Sequence, residues 1–188
     1  MSPLHVNAGS ARGRVLRSVP GDSTRPITDR AKESLFNIIR PSLLGAAFLD
    51  LFAGTGAVGI EALSRGAAFA RFIDNKRIAV ETISANLAAT QLGEGAHIVQ
   101  GDAFAHLASQ PDRSFDYVFI APPQYLGLWK RALLALDANS AWLVEDGWVI
   151  VQIDPTEHEH LELVNLDEFD QRKYGNTLLV FYERKEIA

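Results

Sequence analysis

The chain contains no cysteine, only one methionine, and no apolar run of membrane-spanning length in its 188 residues. Without cysteine there is no disulfide framework, no zinc ribbon and no thiol nucleophile. The longest stretch free of Asp, Glu, Lys and Arg runs from Tyr117 to Trp129 and is interrupted by two prolines, which is too short and too broken to cross a bilayer. No apolar signal segment opens the chain, so a cytoplasmic protein with no membrane partner is expected. The sequence also lacks a Gly-x-Ser-x-Gly elbow and a Gly-Lys-Ser/Thr loop, leaving serine hydrolase and P-loop chemistry without support. His158-Glu159-His160 has a ligand-like spacing, but it sits in an acidic connection and reads as solvated loop, so no metal is expected.

At 47% hydrophobic and 22% charged, the composition is that of a soluble globular chain. Its length suits one domain that buries roughly 70% of its unfolded surface and needs no covalent staple. A monomer is expected. The net charge of −5 hides an asymmetry. Residues 1–40 carry seven basic side chains (Arg12, Arg14, Arg17, Arg25, Arg30, Lys32, Arg40) against three acids, a balance of +4, and the remainder carries −9. A basic arm on an acidic body is a different object from a uniformly acidic protein.

The first 25 residues are rich in turn formers, and Val6, Val15 and Leu16 suit a small hairpin around Ala8 to Gly13. From Thr28 the period becomes helical, with Ala31, Leu35, Ile38 and Ile39 on one face and Pro41 as the stop. Residues 1–40 therefore read as an arm plus a helix, and 41–188 as the main domain. There strands at 48–51, 69–73, 97–100, 115–120 and 147–153 alternate with helices at 57–65, 76–89, 103–110 and about 127–136. A final strand pair, 161–165 or a little beyond and 177–183, flanks the turn Tyr174-Gly175-Asn176. Strand–helix alternation predicts a doubly wound, mostly parallel seven-stranded α/β sheet, and the last pair an antiparallel edge hairpin.

The strongest local signal is Asp50-Leu51-Phe52-Ala53-Gly54-Thr55-Gly56-Ala57-Val58-Gly59, leaving the first strand and opening a helix. Gly54 and Gly56 permit a tight turn and close approach of a ligand to backbone N–H groups at the helix start. Asp74, with Asn75 after it, ends the second strand, where a carboxylate can take both hydroxyls of a ribose. The spacing Gly54-x-Gly56-x-x-Gly59 matches the dinucleotide fingerprint, so NAD(H) is one candidate ligand. Asp50 favours another: a carboxylate at the end of the first strand repels a pyrophosphate but suits the ammonium and sulfonium of S-adenosylmethionine. Asp102, after the third strand, can take an adenine amino group, with Ala103 and Phe104 against the ring. The alternative role for Asp50 and Asp102 is to cap the turns and helices that follow them.

The fourth strand ends in Ala121-Pro122-Pro123-Gln124-Tyr125, near the point where strand order reverses in such sheets. Two consecutive prolines hold carbonyls rigidly toward a crevice. Tyr125, and Trp129 beyond it, have the character of platforms for an unpaired base. Asp116, at the foot of the strand, reads as structural.

These stretches together resemble the RsmD family, bacterial methyltransferases that use S-adenosylmethionine to modify a guanine N2 in 16S ribosomal RNA. The resemblance covers nearly the whole chain. It is carried by Thr24-Arg25-Pro26 with Asp29-Arg30 and Glu33-Ser34-Leu35-Phe36-Asn37-Ile38, and by Leu49 to Gly56 running on to Gly59-Ile60-Glu61-Ala62-Leu63-Ser64-Arg65-Gly66-Ala67. Phe115 to Ile120 and Tyr174-Gly175-Asn176-Thr177 also fall where the family has similar stretches. The resemblance implies a Rossmann-like class I methyltransferase fold with S-adenosylmethionine as cofactor. The cofactor would be held by Asp50, Phe52, Gly54, Thr55, Gly56, Asp74, Asn75, Asp102 and Ala103. It implies a catalytic loop of Ala121, Pro122, Pro123 and Tyr125, and 16S rRNA or the small ribosomal subunit as partner. Arg12, Arg14, Arg17 and Arg25 are the expected RNA contacts, suited to phosphates.

One position departs from the family. Its tetrapeptide is Asp-Pro-Pro followed by an aromatic, whereas here Ala121 replaces the acid and Gln124 separates the prolines from Tyr125. Loss of one preorganised group of this kind costs about 3–4 kcal/mol. Either the carbonyls of Ala121 and Pro122, helped by the Gln124 amide, suffice to orient the amine, or the chain binds RNA as an assembly factor with weak or no transfer.

Overall fold

The computed structural model describes residues 3–21 and 26–185. Helix α1 (Asp29–Ile39) begins where extended Thr28 accepts the Ala31 N–H on its hydroxyl, and Pro41 follows just beyond its end. There follow β1 (Ala47–Asp50), α2 (Ala57–Ser64), β2 (Phe69–Asp74), α3 (Arg77–Thr90), β3 (Ala96–Gln100), α4 (Ala103–Ala108), β4 (Phe115–Ile120), α5 (Leu128–Ala138) and β5 (Leu143–Ile153). Strands β6 (Leu166–Tyr174) and β7 (Thr177–Arg184) complete a seven-stranded sheet of order β3-β2-β1-β4-β5-β7-β6. The first five strands in sequence run parallel, and β7 is antiparallel to both β5 and β6. This is the doubly wound sheet with an antiparallel edge hairpin that the alternation predicts. Strand order reverses between β1 and β4, which opens a crevice at their carboxyl ends.

Two apolar clusters cover the two faces. One joins Phe48, Phe72, Phe119, Ile150 and Phe181 of the sheet to Leu35, Phe36 and Ile39 of α1 and Ile83 of α3. The other joins Leu49, Val118, Val149 and Val151 to Leu107, Trp129, Leu133 and Trp142. Burial on both faces is why β4 reads as a continuous apolar run rather than an alternation.

The N-terminal hairpin is present, with Val6 and Arg14 paired through a 2.9 Å N–H···O bond and Leu16 donating to Leu4 at 2.8 Å. Val6 and Leu16 are buried in the first cluster, whereas Val15 faces solvent. Glu61, fully buried on α2, fastens the hairpin. Its carboxylate accepts the N–H groups of Asn7 and Ala8 at 2.9 and 3.0 Å and pairs with Lys32 and Arg65 at 3.5 and 2.7 Å. Burial pulls the Lys32 pKa down, with the Glu61 charge opposing it. The Ser64 hydroxyl donates to Ala8 O and accepts from Ala11 N. Gly9 lies so close that a Cβ there would come within 1.8 Å of the Ser64 carbonyl oxygen. The Glu61 to Arg65 stretch thus docks the arm.

Two expected strand bounds are corrected. Residues 161–165 form no strand: the N–H groups of Val164 and Asn165 are taken by the Asp137 carboxylate at the end of α5, as is that of Leu166. The strand begins only at Leu166, and its charged residues mark it as an edge facing solvent. Strand β5 starts at Leu143 rather than Gly147, and a register shift between Phe115 and Tyr117 accommodates the extra length. No helix among the described residues is long and apolar enough to cross a membrane.

Candidate active site

Each parallel strand delivers one residue to the carboxyl edge: Asp50 ends β1, Asp74 ends β2, Asp102 follows β3, Ala121 follows β4 and Asp154 follows β5. The glycine loop lies over this edge. Ala53 donates to Ile73 O at 2.9 Å and Gly56 to Ala53 O at 2.7 Å, with Gly56 at φ +77° capping α2. At Gly54 the direction a Cβ would take is open. Gly59 serves packing instead. A Cβ there would meet the Phe72 ring at 2.3 Å, so this glycine lets α2 sit close on β2. The side-chain amide of Asn86 on α3 donates to Thr55 O at 2.9 Å and to Arg17 O at 3.1 Å, tying the loop to the arm.

The three acids differ in environment. Asp50 is buried beneath the loop, and its carboxylate accepts the Gly59 N–H at 3.4 Å. Burial pushes its pKa up to about 7; the Gly59 hydrogen bond opposes this and the Asp74 charge adds to it. Asp74 is half-buried and accepts the N–H groups of Gly54 and Lys76, each at 2.9 Å, and Asn75 beside it is exposed. Asp102 caps α4, accepting the Ala105 N–H at 2.8 Å, which is the alternative role its position allowed. Ala103 is buried behind it. Phe104 meets Phe52 edge-on at 5.9 Å and lies 3.8 Å beneath the Arg131 guanidinium. Arg131 is not recognisable from sequence because it belongs to a helix whose period shows only its core face.

In the proline loop, Ala121 is half-buried against the first cluster, Pro122 is buried and Pro123 exposed. Tyr125 takes φ +63°, an uncommon conformation for a non-glycine residue, and the residue is 66% exposed. Two acids from beyond β5 hold it: its N–H donates to Glu157 at 2.8 Å and its hydroxyl to Asp154 at 2.9 Å. Hydrogen bonds from Thr156 and from Tyr125 keep the Asp154 pKa below the usual carboxylate range. Neither acid stands out in the sequence, although Asp154-Pro155-Thr156-Glu157 has the spacing of a capping box and forms one. Trp129 is not a base platform: it is 1% exposed and packed in the second cluster.

Arg12, Arg14 and Arg17 are exposed on the hairpin and its exit, and Arg25 lies outside the described residues. Asp116 is structural, accepting the Ala47 N–H at 2.8 Å. It also borders a cavity of about 570 Å³ at the opposite, amino edge of the sheet, remote from the strand ends described above. His158 pairs with Glu168 at 3.1 Å. Among the described residues, no group of three or more His, Cys, Asp or Glu is placed to hold a metal ion.

The family described as conserved hypothetical protein 95 matches residues 4–183. YlbH of Bacillus subtilis (strain 168), whose name makes it a candidate rRNA methyltransferase, is 39% identical over 185 residues, 97% of this chain and 100% of that one. Ribosomal RNA small subunit methyltransferase D of Escherichia coli (strain K12) is 37% identical over 149 residues, 79% of this chain and 74% of that one. Among solved structures, yhhF from Escherichia coli, titled as a candidate methyltransferase, superposes with a TM-score of 0.85 at 32% identity, covering 98% of this chain and 99% of that one. With the matched residues running from the arm to the last strand, the chain belongs to the conserved hypothetical protein 95 family, the family of RsmD.

Proposed function

We propose that this protein is an rRNA methyltransferase that transfers a methyl group from S-adenosylmethionine to the exocyclic N2 amine of a guanine in 16S ribosomal RNA. The observation that carries the reading is the meeting of an open glycine loop, two carboxylates and a rigid proline loop at the β1–β4 crevice of a chain in this family. The donor set fits the cofactor. The loop from Asp50 to Gly59 contains no Lys or Arg to neutralise a pyrophosphate, whereas Asp50 and Asp74 suit a cationic, hydroxyl-bearing ligand. Gly54, Thr55 and Gly56 would offer backbone, Asp74 with Asn75 the ribose contacts, and Asp102, Ala103 and Phe52 the adenine side. The buried Asp50 charge would stabilise the sulfonium end from beneath the loop.

When bound, S-adenosylmethionine supplies an electrophilic methyl, the amine lone pair forming the N–C bond as the C–S electron pair leaves on sulfur. The protein's part is orientation. A guanine amine is a weak nucleophile because its lone pair is delocalised into the ring, and carbonyl acceptors for its N–H bonds turn that lone pair outward. Pro122 and Pro123 fix the carbonyls of Ala121 and Pro122 for this purpose. Tyr125, held by Asp154 and Glu157, would stack on a base taken out of its helix. The nitrogen's surplus proton passes to solvent, since amide carbonyls orient but do not take it. Arg12, Arg14, Arg17 and Arg25 provide the phosphate contacts that the acidic body lacks.

One observation favours a second reading, RNA binding without transfer: the Ala121 side chain offers no acceptor. Transfer of labelled methyl to small ribosomal subunits separates the two. Joint replacement Pro122→Ala and Tyr125→Ala should abolish transfer and leave cofactor binding intact; unchanged transfer would contradict this site assignment.

A further inference from the structure

The side chain at position 121 offers no acceptor, but the neighbouring strand carries one. Residues Phe119 and Ile120 of β4 pair in parallel register with Ile150 and Val151 of β5. Continuing that register by one residue sets Ala121 beside Gln152, with both side chains on the face of Phe119 and Ile150. On the far side of β5, Gln152 pairs with Leu179, which belongs to the same apolar cluster. Helix α1 and Tyr174 border this face, joined by the Ser34 and Tyr174 hydroxyls, with the Arg30 guanidinium 6.0 Å over the Tyr174 ring. The Gln152 amide therefore stands on an apolar floor at the carboxyl edge, one strand from the proline loop and two strands from Asp50.

Its carbonyl oxygen, Oε1, is buried and has no hydrogen-bond partner among the described residues. Buried amide oxygens are nearly always satisfied, because each has given up its water on folding. Here the oxygen lacks a donor beside the position where the loop lacks a side-chain acceptor. We infer that Gln152 Oε1 accepts an N–H of the target amine and does the orienting work that the Ala121 side chain cannot do. This rests on the methyltransferase reading above and deepens it. Gln152 then contributes the side-chain acceptor and the prolyl loop the backbone acceptor, one for each N–H of an exocyclic amine.

The test is a double-mutant cycle on methyl transfer to small ribosomal subunits, using wild type, Gln152→Leu, Ala121→Asp and the double variant. Gln152→Leu should lower kcat about 100- to 1,000-fold, the effect of losing one preorganised group. Its affinity for S-adenosylhomocysteine, read by calorimetry, should be unchanged, and its melting temperature unchanged or raised, because an unsatisfied polar group has been removed. Ala121→Asp should raise kcat at least 10-fold more in the Gln152→Leu background than in the wild type. Gln152→Glu, which keeps an acceptor, should retain transfer within about 5-fold. Full kcat in Gln152→Leu, or equal effects of Ala121→Asp in both backgrounds, would overturn the role of Gln152 while leaving the transferase reading intact. Absence of transfer by the wild type would overturn that reading itself. Loss of cofactor affinity or a fall in melting temperature in Gln152→Leu would assign the residue a structural role instead.

Discussion

Asp74 accepts the backbone N–H of Gly54 at 2.9 Å, so the carboxylate at the end of β2 holds the turn of the glycine loop above β1. The two residues are twenty apart in sequence, and the bond joins the loop's shape to the group proposed to bind ribose. Asp74→Ala should therefore weaken S-adenosylhomocysteine binding by about 1.5–3 kcal/mol, roughly 10- to 150-fold, the range for hydrogen bonds to a charged group. Calorimetry reads this directly. Because Asp74 is only half-buried, the melting temperature should move by a few degrees at most.

Asp50 should make binding of the proposed cofactor depend on pH. Its folded-state pKa is raised from 3.8 to about 7, so its contribution to stability is fully present below the unfolded value and lost as pH rises through about 7. A cationic ligand prefers the ionised carboxylate, so binding below pH 7 should release a proton and affinity should rise from pH 6 to pH 8. Calorimetry in two buffers of different ionisation enthalpy counts that proton. Asp50→Asn should abolish the release and flatten the affinity profile.

Glu61 bonds two backbone N–H groups of the arm and pairs with Lys32 inside the protein. Removing one partner of a buried pair leaves the other uncompensated, so Glu61→Ala should cost about 3–5 kcal/mol in urea unfolding. Glu61→Gln, which keeps an acceptor, should cost less. Equal and small losses in both variants would show that the arm is fastened by its apolar contacts instead.

The hairpin arginines predict a salt-dependent effect. Replacing Arg12 and Arg14 by Glu should weaken RNA binding and reduce the slope of log K against log salt by about two, one unit for each phosphate no longer neutralised. Cofactor affinity should not change. A parallel loss of cofactor binding would assign these residues to the packing between arm and glycine loop, through Asn86 and Arg17.

Most of the fold is legible in the sequence because local chemistry dictates it. The glycines of the first loop answer to backbone and packing demands, and β4, buried on both faces, shows as an unbroken apolar run. Strand β6 is not legible in the same way: as a charged edge it carries too little apolar pattern to fix its bounds. Leu161 to Asn165 looks more strand-like, but the backbone donors at its end go to Asp137, a partner far away in the chain. At the site, acids at strand ends are readable from the period alone. Partners brought in by folding are not. Asp154 and Glu157 reach Tyr125 from 29 and 32 residues away, and Gln152 comes beside Ala121 only when the β4–β5 register is continued by one residue. Trp129 shows the converse limit, since an aromatic near a loop looks the same in sequence whether it faces a ligand or the core.

Methyl transfer to a guanine amine of the small-subunit RNA is the activity on which the site assignments depend. Small ribosomal subunits that have never met this enzyme, incubated with the full chain and methyl-labelled S-adenosylmethionine, should take label into 16S RNA. Digestion to nucleosides should return that label as N2-methylguanosine alone. Label in any other nucleoside, or RNA that binds the protein and remains unlabelled, would contradict the proposed activity.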